Sequence, residues 1–97
     1  MDQRYYIIRA DRAGVFFGHI KERRGDEVDM ADCRRLWYWN GAASLSQLAT
    51  EGVKHPDLCK FTVIVPEMTI LGVIEIIPCS EAAAENIKAV TTWRSKG

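Results

Sequence analysis

The sequence predicts an α+β domain with a small, mainly antiparallel sheet of about five strands and two short helices. The 97-residue chain is long enough for one compact core and too short for two. Its strand-like and helix-like segments come in the order strands, helix, strands, helix, with connections of hairpin length, which is typical of this class. We expect residues 1–97 to form a single domain, with residues 91–97 as a flexible tail.

The first two strands are predicted at residues 5–10 and 15–22, which are rich in β-branched and aromatic side chains. Gly18, inside the second segment, indicates a bulge or a close approach of another backbone. Residues 23–26, Arg-Arg-Gly-Asp, predict a tight turn in which the glycine supplies a positive φ.

The return strand of this hairpin is predicted over residues 27–39, with an interruption at residues 31–32. A helix over residues 29–37 is the alternative, because apolar residues recur there at helical spacing. The dense aromatic residues at the end of the segment favour the strand.

Both helices are predicted from their capping residues. The run Ser-Leu-Ser-Gln from Ser44 to Gln47 matches a capping box and predicts a helix over residues 45–51. Ser80 likewise predicts the start of a helix over residues 81–90.

The segment between the helices predicts two more strands. Residues 60–65 alternate in polarity, and residues 68–77 form a longer apolar run that Pro78 ends. A turn is predicted at residues 66–67, Pro-Glu, because proline favours turns.

Composition excludes several classes of protein. Lys plus Arg and Asp plus Glu number 13 each, so no strongly basic surface for a DNA or RNA duplex is expected. A local basic pocket for a small anion is still compatible with this balance. The apolar runs are far shorter than the ~20 residues of a membrane span, and the amino terminus lacks the apolar core of a signal peptide. We therefore expect a cytoplasmic protein that has no membrane partner.

The cysteines predict neither a disulfide framework nor a zinc site. Cys33, Cys59 and Cys79 are odd in number, widely spaced and without a CxxC pair, so we expect reduced and mostly buried thiols. No nucleotide-binding, metalloprotease or hydrolase motif occurs, and no nucleophile–base pair is apparent. The sequence therefore predicts no metal, no cofactor and no enzyme activity.

The stretch RRLWYWNGAASLSQ contains the residues that suit a small anionic ligand. In an extended strand Arg35, Trp37 and Trp39 share one face, and Arg34 and Tyr38 lie on the other. Arginines contact phosphates in a bidentate manner, aromatic faces stack on bases, and a helix amino terminus favours anions. The candidate ligand-binding residues are Arg34, Arg35, Trp37, Tyr38, Trp39, Asn40, Ser44 and Gln47.

Two other interpretations of this stretch remain open. In a purely structural one, the aromatic residues belong to the core and the arginines pair with Asp26, Glu27 or Asp29 across the hairpin. In the other, the stretch is a self-association surface. A homo-oligomer is expected, because the strands carry apolar residues on both faces and two short helices are too small to bury all of this apolar surface.

The motifs DCRRLWYWNGAASLSQLATEGV, CKF and VIEIIPCSEAAAENI, within residues 13–93, resemble a family of small phage- and prophage-encoded proteins that has only a domain-of-unknown-function label. The resemblance implies an accessory viral protein in the bacterial host cytoplasm, with no established catalytic residues. Small phage proteins of this kind include oligomers that sequester nucleotide immune signals, which implies by analogy an anti-defence role through nucleotide binding. The alternative is a protein-interaction module whose WYW strand docks a host or phage protein without any small molecule.

Overall fold

The computed structural model describes residues 3–95, which form six strands, two α-helices and one 3-10 turn. All strand pairs are antiparallel. The α+β class and both helices were predicted and are confirmed, and the helical alternative for residues 29–37 is wrong because they lie in a strand. The elements are β1 (Tyr6–Ala10), β2 (Gly14–Arg24), β3 (Glu27–Tyr38), α1 (Leu45–Glu51), the 3-10 turn (Pro56–Leu58), β4 (Lys60–Phe61), β5 (Val65–Ile70), β6 (Val73–Pro78) and α2 (Glu81–Ala89).

The turn predicted at residues 66–67 is wrong, and the structure has six strands where about five were expected. Both residues lie inside β5, and the chain instead turns at Leu71 and Gly72, where Gly72 has a φ of +72°. Strand β5 pairs with β3 alone and is therefore an edge strand. An edge strand can accommodate Pro66, because a proline lacks the N–H that a second neighbouring strand would need. The segment expected as one strand over residues 60–65 contributes only the two residues of β4 and the start of β5.

The sheet curls on itself. Its main path runs β4-β3-β2-β1-β6, with β5 also pairing with β3. Only two residues connect β5 to β6, although these strands lie at opposite edges, so the two edges must approach each other. A backbone hydrogen bond of 2.8 Å, from the Val73 amide to the Asp26 carbonyl, joins the start of β6 to the turn between β2 and β3.

The curled sheet separates two apolar cores. Strand alternation sends neighbouring residues to opposite sides, so Ile8 and Phe16 face the inside of the curl, whereas Ile7 and Phe17 face the helices. The inner core also contains Ala10, Val28, Met30, Cys33, Ile70 and Val73. The outer core, between the sheet and the helices, also contains Leu36, Leu48, Ala49, Val53, Cys59, Phe61, Cys79, Ala84, Ile87 and Val90.

A bulge lies where β2 and β3 pass Gly18, as predicted. The β2–β3 register shifts at this point, and Asp32 has a φ of +49°. A Cβ on Gly18 would lie 3.0 Å from the Ala31 carbonyl oxygen, so the backbones approach closely there. The bulge places Met30 and Cys33 in the same inner core, although regular alternation would put them on opposite faces.

The expected flexible tail falls partly on residues 96 and 97, which lie outside the described residues. Before them, Thr92 forms a parallel bridge with Phe61, and the Trp93 amide donates to the Phe61 carbonyl at 2.8 Å. Of the helices between residues 3 and 95, none is long and apolar enough to cross a membrane.

Candidate functional site

Arg34, a predicted phosphate contact, lies in the interior with only 1% of its surface exposed. Its Nε donates to the Thr62 carbonyl at 3.0 Å and one Nη to the Phe61 carbonyl at 3.2 Å. The other Nη donates to the carbonyls of Ile87 and Val90 at 3.2 and 3.0 Å, which are at the carboxyl end of α2. Burial lowers the pKa of the guanidinium. Because all three nitrogens are engaged, Arg34 fastens α2 to the sheet.

Arg35 points to the opposite face of β3, as alternation predicts. Its guanidinium lies over the Phe16 ring, 4.7 Å from the centroid. Its Nε is buried without a hydrogen-bond partner, and no salt bridge found between residues 3 and 95 includes it. Arg35 is therefore a partly buried cation without an acidic partner among residues 3–95.

Two of the three acids that were alternative partners of the two arginines pair with another residue. Glu27 and Asp29 both pair with Arg24, the latter with an N–O distance of 3.0 Å. The hydrogen bonds from Arg24 and Thr69 lower the pKa of the Asp29 carboxyl. Cross-hairpin pairing therefore exists, but it does not neutralise Arg35.

Arg35 lines a cavity of about 650 Å³, here named the Arg35 cavity. The β1–β2 and β5–β6 turns form its rim, and the floor includes Phe16 and Met68 from the curled sheet. Arg35, Arg12 and Asp11 are its charged groups, so the cations exceed the acids by one. The remaining lining residues are Ala13, Thr69, Ile70, Leu71 and Gly72.

Trp37 and Tyr38 lie at the end of β3 and are exposed, with 64% and 48% of their surface accessible. The Trp37 ring stacks near Trp93, with centroids 6.4 Å apart and an interplanar angle of 12°. The Lys60 ammonium lies 5.6 Å from the Trp93 ring centroid. These four residues define the Trp37–Trp93 surface.

Trp39 does not share a face with Arg35 and Trp37, so this prediction is wrong. Strand β3 ends at Tyr38 and its pairing with β4 is irregular, which breaks the alternation. Trp39 is half-buried and packs against the outer core. The neighbouring Asn40 amide donates to the Cys59 sulfur at 3.4 Å.

Ser44 and Gln47 form the predicted capping interaction of α1. The Ser44 hydroxyl accepts from the Gln47 amide at 3.1 Å, and the Gln47 side-chain oxygen accepts from the Ala43 amide at 2.7 Å. Gln47 also donates to Glu51 at 3.3 Å. Both side chains therefore satisfy groups of their own helix start.

Ser44→Ala is expected to lower the free energy of unfolding by about 1 kcal/mol, because the Gln47 amide loses its acceptor. Chemical denaturation followed by circular dichroism measures this difference. An unchanged midpoint would contradict the role of Ser44 as the cap.

A second, larger cavity of about 890 Å³ lies between the segment that precedes β1, strand β2 and helix α2, where sequence reasoning placed no site. Tyr5 forms part of it and stacks on Phe17 with centroids 4.6 Å apart. His19 is half-buried and its Nδ1 lies 2.9 Å from the Arg4 carbonyl oxygen. The lining mixes the cations Arg4 and Lys88 with the acids Glu81 and Glu85, so neither sign of charge dominates.

The structure thus divides the eight predicted residues among four places. Arg34 and Trp39 belong to the cores, Arg35 to a cavity, Trp37 and Tyr38 to the surface, and Asn40, Ser44 and Gln47 to the loop and helix start. Sequence reasoning missed Arg12, Phe16, Met68, Leu71 and Trp93, which lie beside Arg35 or Trp37 only through long-range pairing.

The three cysteines are free and buried, as predicted. Burial raises the pKa of the Cys33 thiol to about 12 and that of Cys79 to about 11, so both are protonated at neutral pH. Among residues 3–95, no group of three or more histidine, cysteine, aspartate or glutamate side chains is placed to hold a metal ion.

Residues 3–87 match the profile of DUF6948, a domain of unknown function. The chain belongs to this family. Neither a curated protein nor a solved structure matches it. The expected membership of an unknown-function family is confirmed. The matched span contains the whole Arg35 cavity, whereas Trp93 lies beyond it.

Proposed function

We propose that this protein binds a small anionic, nucleotide-derived ligand in the Arg35 cavity and catalyses no reaction on it. The observation that supports this most is a partly buried guanidinium on the wall of a cavity with many apolar residues, without an acidic partner in the part of the chain that the structure describes. Withdrawing an unpaired charge from water is unfavourable, and a bound anion would supply the missing counterion.

The other walls suit the organic part of such a ligand. Leu71, which is exposed, and the half-buried Met68 offer apolar surface for a base or a sugar edge, and about 650 Å³ lies within the usual range of small-molecule sites. Arg35 can present two parallel donors to a phosphate, with Arg12 at the rim as a second cation. Asp11 at the same rim limits the excess of positive charge, which favours a ligand of low charge over a polyphosphate.

The biological role follows from the resemblance to small phage and prophage proteins. In this proposal the protein is an accessory viral protein in the cytoplasm of a bacterial host, where a homo-oligomer sequesters a signalling nucleotide of host immunity. Sequestration requires binding without turnover, and the sequence has no catalytic motif.

Arg35→Lys is expected to weaken ligand binding by about tenfold or more, because lysine keeps the charge but loses the planar pair of donors. The parent is screened by thermal shift with AMP, ADP-ribose and cyclic dinucleotides. A ligand at ~100-fold its dissociation constant adds about 2.7 kcal/mol of stability. Without ligand, Arg35→Lys melts close to the parent, since Arg35 makes no recorded salt bridge within the described residues.

The matched control is Arg9→Lys, because Arg9 is exposed, lies outside the cavity and pairs with Glu75 at 3.6 Å. It should bind as the parent does. The proposal fails if no anion of the panel stabilises the parent, or if the two lysine variants lose affinity equally.

The exposed Trp37–Trp93 surface favours a second candidate function, docking of a protein. The apolar residues Val63 and Ile64, in the loop between β4 and β5, are also exposed, by 40% and 48%. Exposed aromatic residues are enriched where proteins associate. This surface would serve self-assembly or hold a host or phage protein.

Trp37→Ser is expected to lower the number of chains in the homo-oligomer that we propose. It should have little effect on the fold, because Trp37 is 64% exposed. Light scattering at high micromolar concentration measures the mass. Leu58→Ser, at an exposed residue of the 3-10 turn, is the control and should assemble as the parent does. A monomeric parent would remove self-assembly from the proposal.

A further inference from the structure

Three sulfur atoms converge inside the curled sheet. The Cys33 Sγ lies 3.8 Å from the Met30 Sδ and 3.8 Å from the Met68 Sδ. Met30 and Met68 face each other directly across the β3–β5 pair. One thiol and two thioethers, from two strands, thus form a compact cluster.

The position of Cys33 in this cluster depends on the bulge. Asp32 is in the left-handed region at φ +49°, and it is the one residue other than glycine with a positive φ between residues 3 and 95. Without this extra residue, Met30 and Cys33 would point to opposite faces of β3. An unusual backbone conformation therefore delivers the third sulfur.

We propose that Cys33, Met30 and Met68 form a binding site for a soft monovalent cation of the Cu(I) class. Thiolate and thioether ligands select such ions. Two sulfurs bonded to one metal at about 2.3 Å, with an angle of about 120° between the bonds, lie about 4.0 Å apart, and the Cys33–Met30 and Cys33–Met68 sulfur separations of 3.8 Å are close to this value. Zinc fits poorly, because it takes four ligands in tetrahedral geometry.

The charge balance of this site suits an apolar interior. Cu(I) displaces the thiol proton of Cys33, which leaves as H⁺, and the resulting thiolate and Cu(I) together carry no net charge. Each bound ion therefore releases one proton.

Met68 provides the route to the site. Cys33 and Met30 have no exposed surface, whereas Met68 is half-buried and lines the Arg35 cavity. Met68 is therefore the one of the three ligands that solvent reaches. The inference does not rest on anion binding, because Arg35 is not one of the three ligands.

The test is an anaerobic titration of the full chain with Cu(I) against a chromophoric Cu(I) chelator, followed by X-ray absorption of the complex. One ion per chain is expected, with three sulfur neighbours at about 2.3 Å and one proton released. Met68→Leu conserves volume and should keep the fold while weakening binding at least about tenfold. Met30→Leu should act in the same way, which covers the case that one variant misfolds.

Cys79→Ala is the matched control, because Cys79 is also a buried thiol but has no recorded sulfur contact among the described residues. It should retain the ion, and Cys33→Ala should lose it. The proposal is overturned if the ion follows Cys79 or Cys59, or if both leucine variants fold and bind Cu(I) as the parent does.

Discussion

Arg34→Met is expected to lower the free energy of unfolding by about 3–5 kcal/mol, the largest effect of any substitution considered. Methionine fills a similar volume but donates no hydrogen bond. The four carbonyls that now accept from the guanidinium, those of Phe61, Thr62, Ile87 and Val90, would be left without this donor. Two of them are at the end of α2, so the helix should detach from the sheet before the rest of the fold melts.

Urea denaturation with and without ligand measures this loss, which should be the same in both cases because Arg34 does not line the Arg35 cavity. Arg12→Met, measured without ligand because Arg12 lines the Arg35 cavity, is the control. Arg12 is exposed, and its replacement should change stability by no more than about 0.5 kcal/mol. A loss below about 1 kcal/mol for Arg34→Met would contradict the role assigned to its hydrogen bonds.

Gly41→Ala is expected to lower the free energy of unfolding by about 3 kcal/mol, because two unfavourable effects add. Gly41 has a φ of +97°, which strains any residue with a side chain. An added Cβ would also lie 2.5 Å from the Lys54 amide nitrogen and 2.9 Å from that of His55, and these are backbone atoms that cannot rotate away. The loop before α1 and the segment after it would have to separate.

Gly14→Ala distinguishes the two contributions. Gly14 has a φ of +109°, but a Cβ there would meet nothing within 4 Å, so only the backbone strain of about 1–2 kcal/mol is expected. The excess loss in Gly41→Ala, measured by the same denaturation, reports the close approach. Equal losses for the two variants would contradict the tight packing of residue 41 against residues 54 and 55.

Local signals predicted most of the secondary structure. The caps Ser44 and Ser80 determine where α1 and α2 begin, because a cap acts within a few residues of itself. Gly18 indicated the bulge, because a bulge involves a single pair of strands. Pro66 was misread as a turn residue because its environment depends on which strand lies beside β5. That pairing is long-range and has no local signature.

The candidate site shows the same division. Alternation along β3 correctly placed Arg34 and Arg35 on opposite faces. Which face of β3 is covered by α2 could not be predicted, because the α2 carbonyls that accept from Arg34 lie more than 50 residues away along the chain. The cavity itself joins two turns at the curled edge of the sheet, and the pairing of Trp37 with Trp93 crosses a similar distance.

The central claim is that the Arg35 guanidinium receives the anion, and NMR of the arginine side-chain Nε–Hε groups tests it most directly. On titration with AMP and then with a cyclic dinucleotide, the Arg35 signal should shift and saturate at one ligand per chain. The Arg34 signal is the internal control and should stay in place, because its Nε already donates to the Thr62 carbonyl at 3.0 Å. An Arg35 signal that does not move at millimolar ligand, or that moves only as much as those of the exposed Arg9 and Arg23, would contradict the account.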